Sequence, residues 1–120
     1  MAQEAITVYG IPNCDQIKKA RTWLDARAIA YSFHDFKKQG VVAAHARAWI
    51  HQAGAERVIN RKGSTWRALD DARKALADKA SGAATLICEQ PSLVKRPVLE
   101  RGGALLAIGF DADHYAQLFT

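Results

Sequence analysis

The stretch Ala5-Ile6-Thr7-Val8-Tyr9 is β-branched and aromatic and stops at Gly10, the profile of a short buried strand. Gly10-Ile11-Pro12-Asn13-Cys14 follows as a loop, marked by its Gly, Pro and Asn. From Asp15 to about Ala28, the residues Ile17, Ala20, Leu24 and Ala28 fall on one helical face, and Lys18, Lys19, Arg21 and Asp25 cover the rest. Tyr31 to Phe36 alternates enough to be a second strand. Strand, helix, strand is a βαβ unit, which implies a parallel pair joined by a right-handed crossover. Whatever follows must complete a sheet that begins this way.

The middle of the chain reads as helical. Val42, Ala46, Trp49, Ile50 and Ala53 form a stripe that ends at Gly54. A second helix is expected from an N-cap at Ser64 through Leu69, Ala72 and Leu76. A third covers Ala83 to Gln90 and is stopped by Pro91. The runs Arg96–Glu100 and Ala104–Ile108 flank Arg101-Gly102-Gly103, a hairpin signal, because glycines supply the positive φ angles of a tight turn. Asp111 is a good N-cap for a last helix that carries Tyr115, Leu118 and Phe119 toward the core. The expected fold is α/β: a thioredoxin-like arrangement in which a mixed four-stranded sheet carries a helical insertion at about 41–92. Length predicts one domain over 1–120.

Composition narrows the function classes. Apolar residues make up 49% and charged residues 24%, ordinary for a soluble globular chain, and no apolar run is long enough to span a membrane. The start of the chain shows no secretory signal, so a cytoplasmic location is expected. The net charge is +5, but the basic residues are spread out, with only short pairs such as Lys18-Lys19, Lys37-Lys38 and Arg61-Lys62. No stretch interleaves them with aromatics as a single-strand nucleic-acid groove does. A solvated basic surface accounts for the charge, and a small anionic ligand is the next account. His34, His45, His51 and His114 show no metal-ligand spacing with one another or with the cysteines, which argues against metal chemistry.

Cys14 and Cys88 lie far apart and form no C-x-x-C. Cys88 falls inside a helical pattern beside Ile87 and one turn after Ala84, which points to packing. Cys14 stands where the loop meets the first helix. Unpaired amides and the helix dipole favour an anion there, and the thiolate is the form of cysteine that attacks. Lys18, one turn on, can add positive charge, whereas Asp15 opposes ionisation. Position alone therefore leaves two readings open for Cys14, reactive nucleophile or small filler.

Three segments, Val8–Asp15, Ile59–Gly63 and Leu93–Leu99, together resemble the ArsC family of arsenate reductases and its relatives. The likeness is greatest to the YffB-type branch, proposed to be glutathione-dependent thiol reductases; the Spx regulators resemble it more distantly. The resemblance covers nearly the whole chain and implies that Cys14 is the nucleophile. It implies that Arg61 and Arg96 bind the anionic part of a substrate or of glutathione, and that the bond between Arg96 and Pro97 is cis. Arginine suits that work because its planar fork meets oxyanions and carboxylates bidentately. Three features depart from the family. The segment Leu106–Asp111 has no arginine where arsenate reductases place a third, Asp15 follows the cysteine where those enzymes commonly carry a small residue, and Ile17 stands where redox-sensing Spx members carry a second cysteine.

The expectation is a reductase with a single nucleophilic cysteine and no bound cofactor, acting on a small anionic or disulfide substrate with glutathione as co-substrate, and with Arg61, Arg96, Lys18 and Pro97 as the substrate- or glutathione-binding residues. An arsenate reductase supported by glutathione and glutaredoxin is the first alternative. A regulatory protein that docks on RNA polymerase, as Spx relatives do, is the second.

Overall fold

The computed structural model describes residues 5–119. The chain forms two compact units, one made of the sequence up to Asp35 together with that from Arg96 onward, the other of Phe36–Lys95.

The first unit contains a four-stranded mixed sheet. Strand β1 (Ile6–Gly10) pairs in parallel with β2 (Ser32–Asp35) and antiparallel with β3 (Val98–Arg101), which pairs with β4 (Ala104–Ile108). The order is β2-β1-β3-β4, so the β-branched first strand is internal, as its near-complete burial requires. Gly102 and Gly103 turn the hairpin with φ of 56° and 84°, the left-handed pair that the Gly-Gly sequence announces. Helix α1 (Asp15–Ala26) connects β1 to β2 and buries Ile17, Ala20, Trp23 and Leu24. With Val8, Leu99, Ala107 and Tyr115 these side chains build the core of this unit, where Trp23, Phe110, Tyr115 and Phe119 meet ring on ring.

Helix α1 stops two residues before the periodicity suggests. Ala28, expected on its apolar face, adopts φ 55°, while the N–H of Ile29 donates to the Leu24 carbonyl and that of Ala28 to Asp25. This is a Schellman ending built on alanine where glycine is the usual residue. The last helix of the unit starts as expected: Asp111 accepts from the amides of Asp113 and His114.

The second unit is helical: α2 (Phe36–Gln39), α3 (Ala43–Ala53), α4 (Ala55–Val58), α5 (Ser64–Arg67), α6 (Asp71–Leu76) and α7 (Ala80–Glu89), with a 3-10 turn at Pro91–Leu93. The C-terminal helix of the first unit, Ala112–Leu118, is accordingly α8. Helices α3 and α7 pack together, burying Trp49, Ile50, Leu86 and Ile87. Three expectations need correction here. Phe36 opens α2 and is buried, rather than closing the second strand. The helix expected from Ser64 to Leu76 is two: Gly63, not Ser64, caps α5, and the Asp70 carboxylate draws the Arg73 amide at 2.8 Å to start α6 afresh. Helix α7 begins at Ala80 rather than Ala83 and runs through Gly82, where a Cβ would lie 2.2 Å from the Leu76 carbonyl oxygen. Only glycine permits that approach.

Candidate active site

The site begins with the way β1 hands the chain to α1. Ile11-Pro12-Asn13-Cys14 is a turn closed by the Cys14 N–H on the Ile11 carbonyl at 3.2 Å, with proline at the position its fixed φ favours. Cys14 is the N-cap residue of α1, in extended conformation at φ −90°, ψ 133°. Its side chain makes no capping hydrogen bond, unlike a serine or aspartate there. The helix is seated by Ile17, which is fully buried against Gly10; a Cβ on Gly10 would lie 2.1 Å from Ile17 Cδ1. The position that carries cysteine in redox-sensing Spx members therefore anchors the start of α1 in this chain.

Partial burial alone would push the Cys14 thiol up. The Ile17 amide, the Arg96 guanidinium and the Gln16 amide outweigh it, and the thiol lies below its ordinary value. Asp15, expected to oppose ionisation, is exposed in the first turn, and the net direction is still downward. Cys88 goes the other way: burial in α7 raises its thiol, with Arg47 only partly offsetting it. Of the two cysteines, the half-buried Cys14 is the one primed to ionise.

Arg96 and Pro97 enter from the segment before β3, and their peptide bond is cis, as the resemblance implies. Pro97 is buried, and its carbonyl accepts the Gly109 N–H at 2.9 Å. Gly109 thus serves as a backbone donor in the region where arsenate reductases place a third arginine, with a φ of 80° that a side chain would rarely adopt. Lys18 is exposed one turn into α1 and lines a groove along that helix; the cationic group acting on the sulfur is Arg96. Arg61 belongs to the helical unit. It is exposed in the turn after Asn60, its guanidinium 5.0 Å from the centre of the Trp66 ring, and Asn60 Oδ1 accepts the Lys62 amide. The amides of Gln16 and Ile17 are invisible as particular residues in the sequence, because any residue carries that donor; the strand-to-helix junction is their only signal.

Comparison with known proteins gives the family. The ArsC family matches residues 9–118. The solved structure of a protein named YffB is 46% identical, with a TM-score of 0.90, and the match covers 97% of this chain and 100% of that one. A possible arsenate reductase from Streptococcus mutans is 30% identical at a TM-score of 0.83, over 98% of this chain and 99% of its own. The global transcriptional regulator Spx of Streptococcus pyogenes is 26% identical over 110 residues, 90% of this chain and 80% of that protein. An internal β1 followed by an N-capping cysteine, a mixed sheet in the order β2-β1-β3-β4 and a match spanning almost every residue have one reading: this chain belongs to the ArsC family.

Proposed function

We propose that the protein is a thiol reductase that uses Cys14 as its only reacting cysteine and glutathione as reductant. The observation that carries this reading is the place of Cys14 at the N-cap of α1, where the Ile17 amide, the Arg96 guanidinium and the Gln16 amide hold its thiol below the ordinary value. On a mixed disulfide of glutathione, the Cys14 thiolate attacks the glutathione sulfur, the old S–S bond breaks, and the other thiol leaves and takes a proton. A second glutathione thiolate attacks the Cys14–glutathione disulfide, releasing Cys14 as thiolate and glutathione disulfide as product. External resolution is required because the residue one turn along, Ile17, is not a thiol. Arg96 would hold a carboxylate beside the sulfur, and Arg61, on the resemblance, would bind a further anionic group.

The test is direct. Incubation with glutathione disulfide should give a single adduct of glutathione on Cys14 by mass spectrometry, and free glutathione should remove it. Reduction of a glutathionylated peptide should be lost in Cys14→Ser and kept in Cys88→Ser. Full activity of Cys14→Ser would falsify the proposal.

Arsenate reduction is the second reading, favoured by what the Streptococcus mutans relative is named. It would use the same thiolate with glutathione and glutaredoxin as donors. Where the family's arsenate reductases add a full charge this chain has Gly109, whose amide is already bonded to the Pro97 carbonyl, so the expected turnover of arsenate is low. The likeness to Spx supports a regulatory reading, in which RNA polymerase would be retained equally by the parent chain and by Cys14→Ser.

A further inference from the structure

A groove of about 480 Å³ runs between one flank of α1 and the Phe110–Ala112 segment that leads into α8. Its size lies within the range of small-molecule sites. The half-buried Phe110 and the small part of Trp23 left exposed, 8% of that residue, supply aromatic surface, and Ala26 leaves space beside them. The aromatic floor is braced from within: Tyr115 stands edge-on to Trp23 at 5.6 Å and to Phe110 at 4.8 Å between ring centres. Such a floor needs little reorganisation on binding.

The rim is cationic. Lys18, Lys19 and Arg27 border the groove, and no acidic residue lines it. Both lysines are exposed, and neither takes part in an ion pair among the described residues. The Arg27 guanidinium is held 3.8 Å from the centre of the Trp23 ring and donates to the Trp23 carbonyl. Asp111 lies between Phe110 and Ala112 in sequence, yet its carboxylate is engaged by the Asp113 and His114 amides. Positive charge around an aromatic floor suits a ligand that carries both complements.

We infer that this groove binds a small amphipathic organic anion, an aromatic ring bearing one carboxylate or sulfonate. The ring would lie chiefly against Phe110 and the exposed part of Trp23 while the anionic group meets the Lys18, Lys19 and Arg27 cations. A neutral ring satisfies only the floor, and an inorganic anion only a solvent-screened rim. This site is separate from the thiol chemistry and does not depend on it.

The probe is naphthalene-2-sulfonate, titrated into the full-length protein with amide and indole N–H shifts followed by NMR. The Trp23 indole and the backbone of Lys18, Lys19 and Arg27 should move together and saturate. Naphthalene-2-methanol should bind at least about fivefold more weakly, and Lys18→Glu/Lys19→Glu should lose about tenfold in affinity for the sulfonate. Ala26→Phe, which fills the groove and leaves every charge in place, should abolish binding, and Cys14→Ser should bind as the parent does. Circular dichroism confirms that each variant is folded. The inference is overturned if α1 shows no shift at millimolar probe, or if the alcohol binds as well as the sulfonate. It is equally overturned if the shifts centre on Cys14 and Arg96 instead.

Discussion

The phenol of Tyr9 donates a 2.6 Å hydrogen bond to the carboxylate of Glu100, which is only 4% exposed. The strand register puts Glu100 opposite Thr7 and Val98 opposite Tyr9, so the two side chains are diagonal neighbours across β1 and β3. A buried carboxylate needs such donors, since leaving it without them costs its full desolvation. The sheet that carries the Cys14 loop at one end is therefore tied internally by a polar pair.

Removing that donor should be expensive. Tyr9→Phe is expected to destabilise the protein by about 1–3 kcal/mol in urea unfolding, the range for a hydrogen bond to a charged group. Tyr9→Phe/Glu100→Gln should cost less than the two single changes added together, because the neutral amide tolerates loss of the phenol better. Strict additivity would show that the pair is not coupled.

With the Ile17 and Gln16 amides, Arg96 holds the Cys14 thiol below its ordinary value. In Arg96→Gln the guanidinium charge and its hydrogen bond to the sulfur are gone, and burial regains influence. The alkylation rate of Cys14 by iodoacetamide, followed against pH, should have its midpoint below that of an ordinary thiol in the parent and higher in the variant. At pH 7 the variant should react roughly threefold to tenfold more slowly, because a higher midpoint leaves a smaller fraction of the sulfur as thiolate. Arg96→Lys should fall between them, keeping the charge without the planar fork. An unchanged midpoint in Arg96→Gln would leave the amides as the whole cause.

Ala28 occupies the left-handed position of the Schellman ending of α1 with φ 55°. A Cβ in that conformation costs about 1 kcal/mol, which glycine avoids at the expense of greater freedom in the unfolded chain. Ala28→Gly is therefore expected to raise stability by about 0.5–1 kcal/mol, read as a higher urea midpoint at unchanged slope. A lower midpoint would mean that the entropic loss dominates.

The βαβ start, the Gly-Gly hairpin and the Asp111 cap can be read from the sequence because each rests on local chemistry: β-branching, positive φ, a carboxylate beside free amides. The breaks inside the helical unit cannot. The division between α5 and α6 turns on whether the Asp70 carboxylate wins one amide from a continued helix, and α7 extends to Ala80 because a carbonyl fits against Gly82. At the site, Cys14 is legible as a candidate from its junction between strand and helix, though that position alone leaves a reactive thiol and a small filler both open. Which cation acts on it is not legible: Lys18 is nearer in sequence, but Arg96, brought in beside Pro97 from the segment before β3, is the cation that joins the Ile17 and Gln16 amides in lowering the thiol. The Tyr9–Glu100 pair is equally hidden, since a carboxylate in a four-residue strand looks solvent-facing until the register is known.

Tyr115 is fully buried among Trp23, Phe110 and Phe119, and its hydroxyl meets no hydrogen-bond partner among the described residues. Tyr115→Phe removes an unsatisfied polar atom and keeps the ring, so it should leave stability unchanged or raise it by up to about 2 kcal/mol. Alkaline pH supplies a second, independent readout. Burial raises the Tyr115 phenol, and burial with the Glu100 contact raises that of Tyr9, so both stay protonated in the native state above the ordinary tyrosine value of about 10. Below that pH both states hold these protons and the contribution to stability is complete. Above it the unfolded chain releases protons that the native state retains, and stability falls with rising pH. Tyr115→Phe deletes one of the two retained protons, so its stability should decline less steeply between about pH 10 and 12 than the parent's. Parallel declines would show that the Tyr115 hydroxyl ionises in the folded protein as freely as in the unfolded chain.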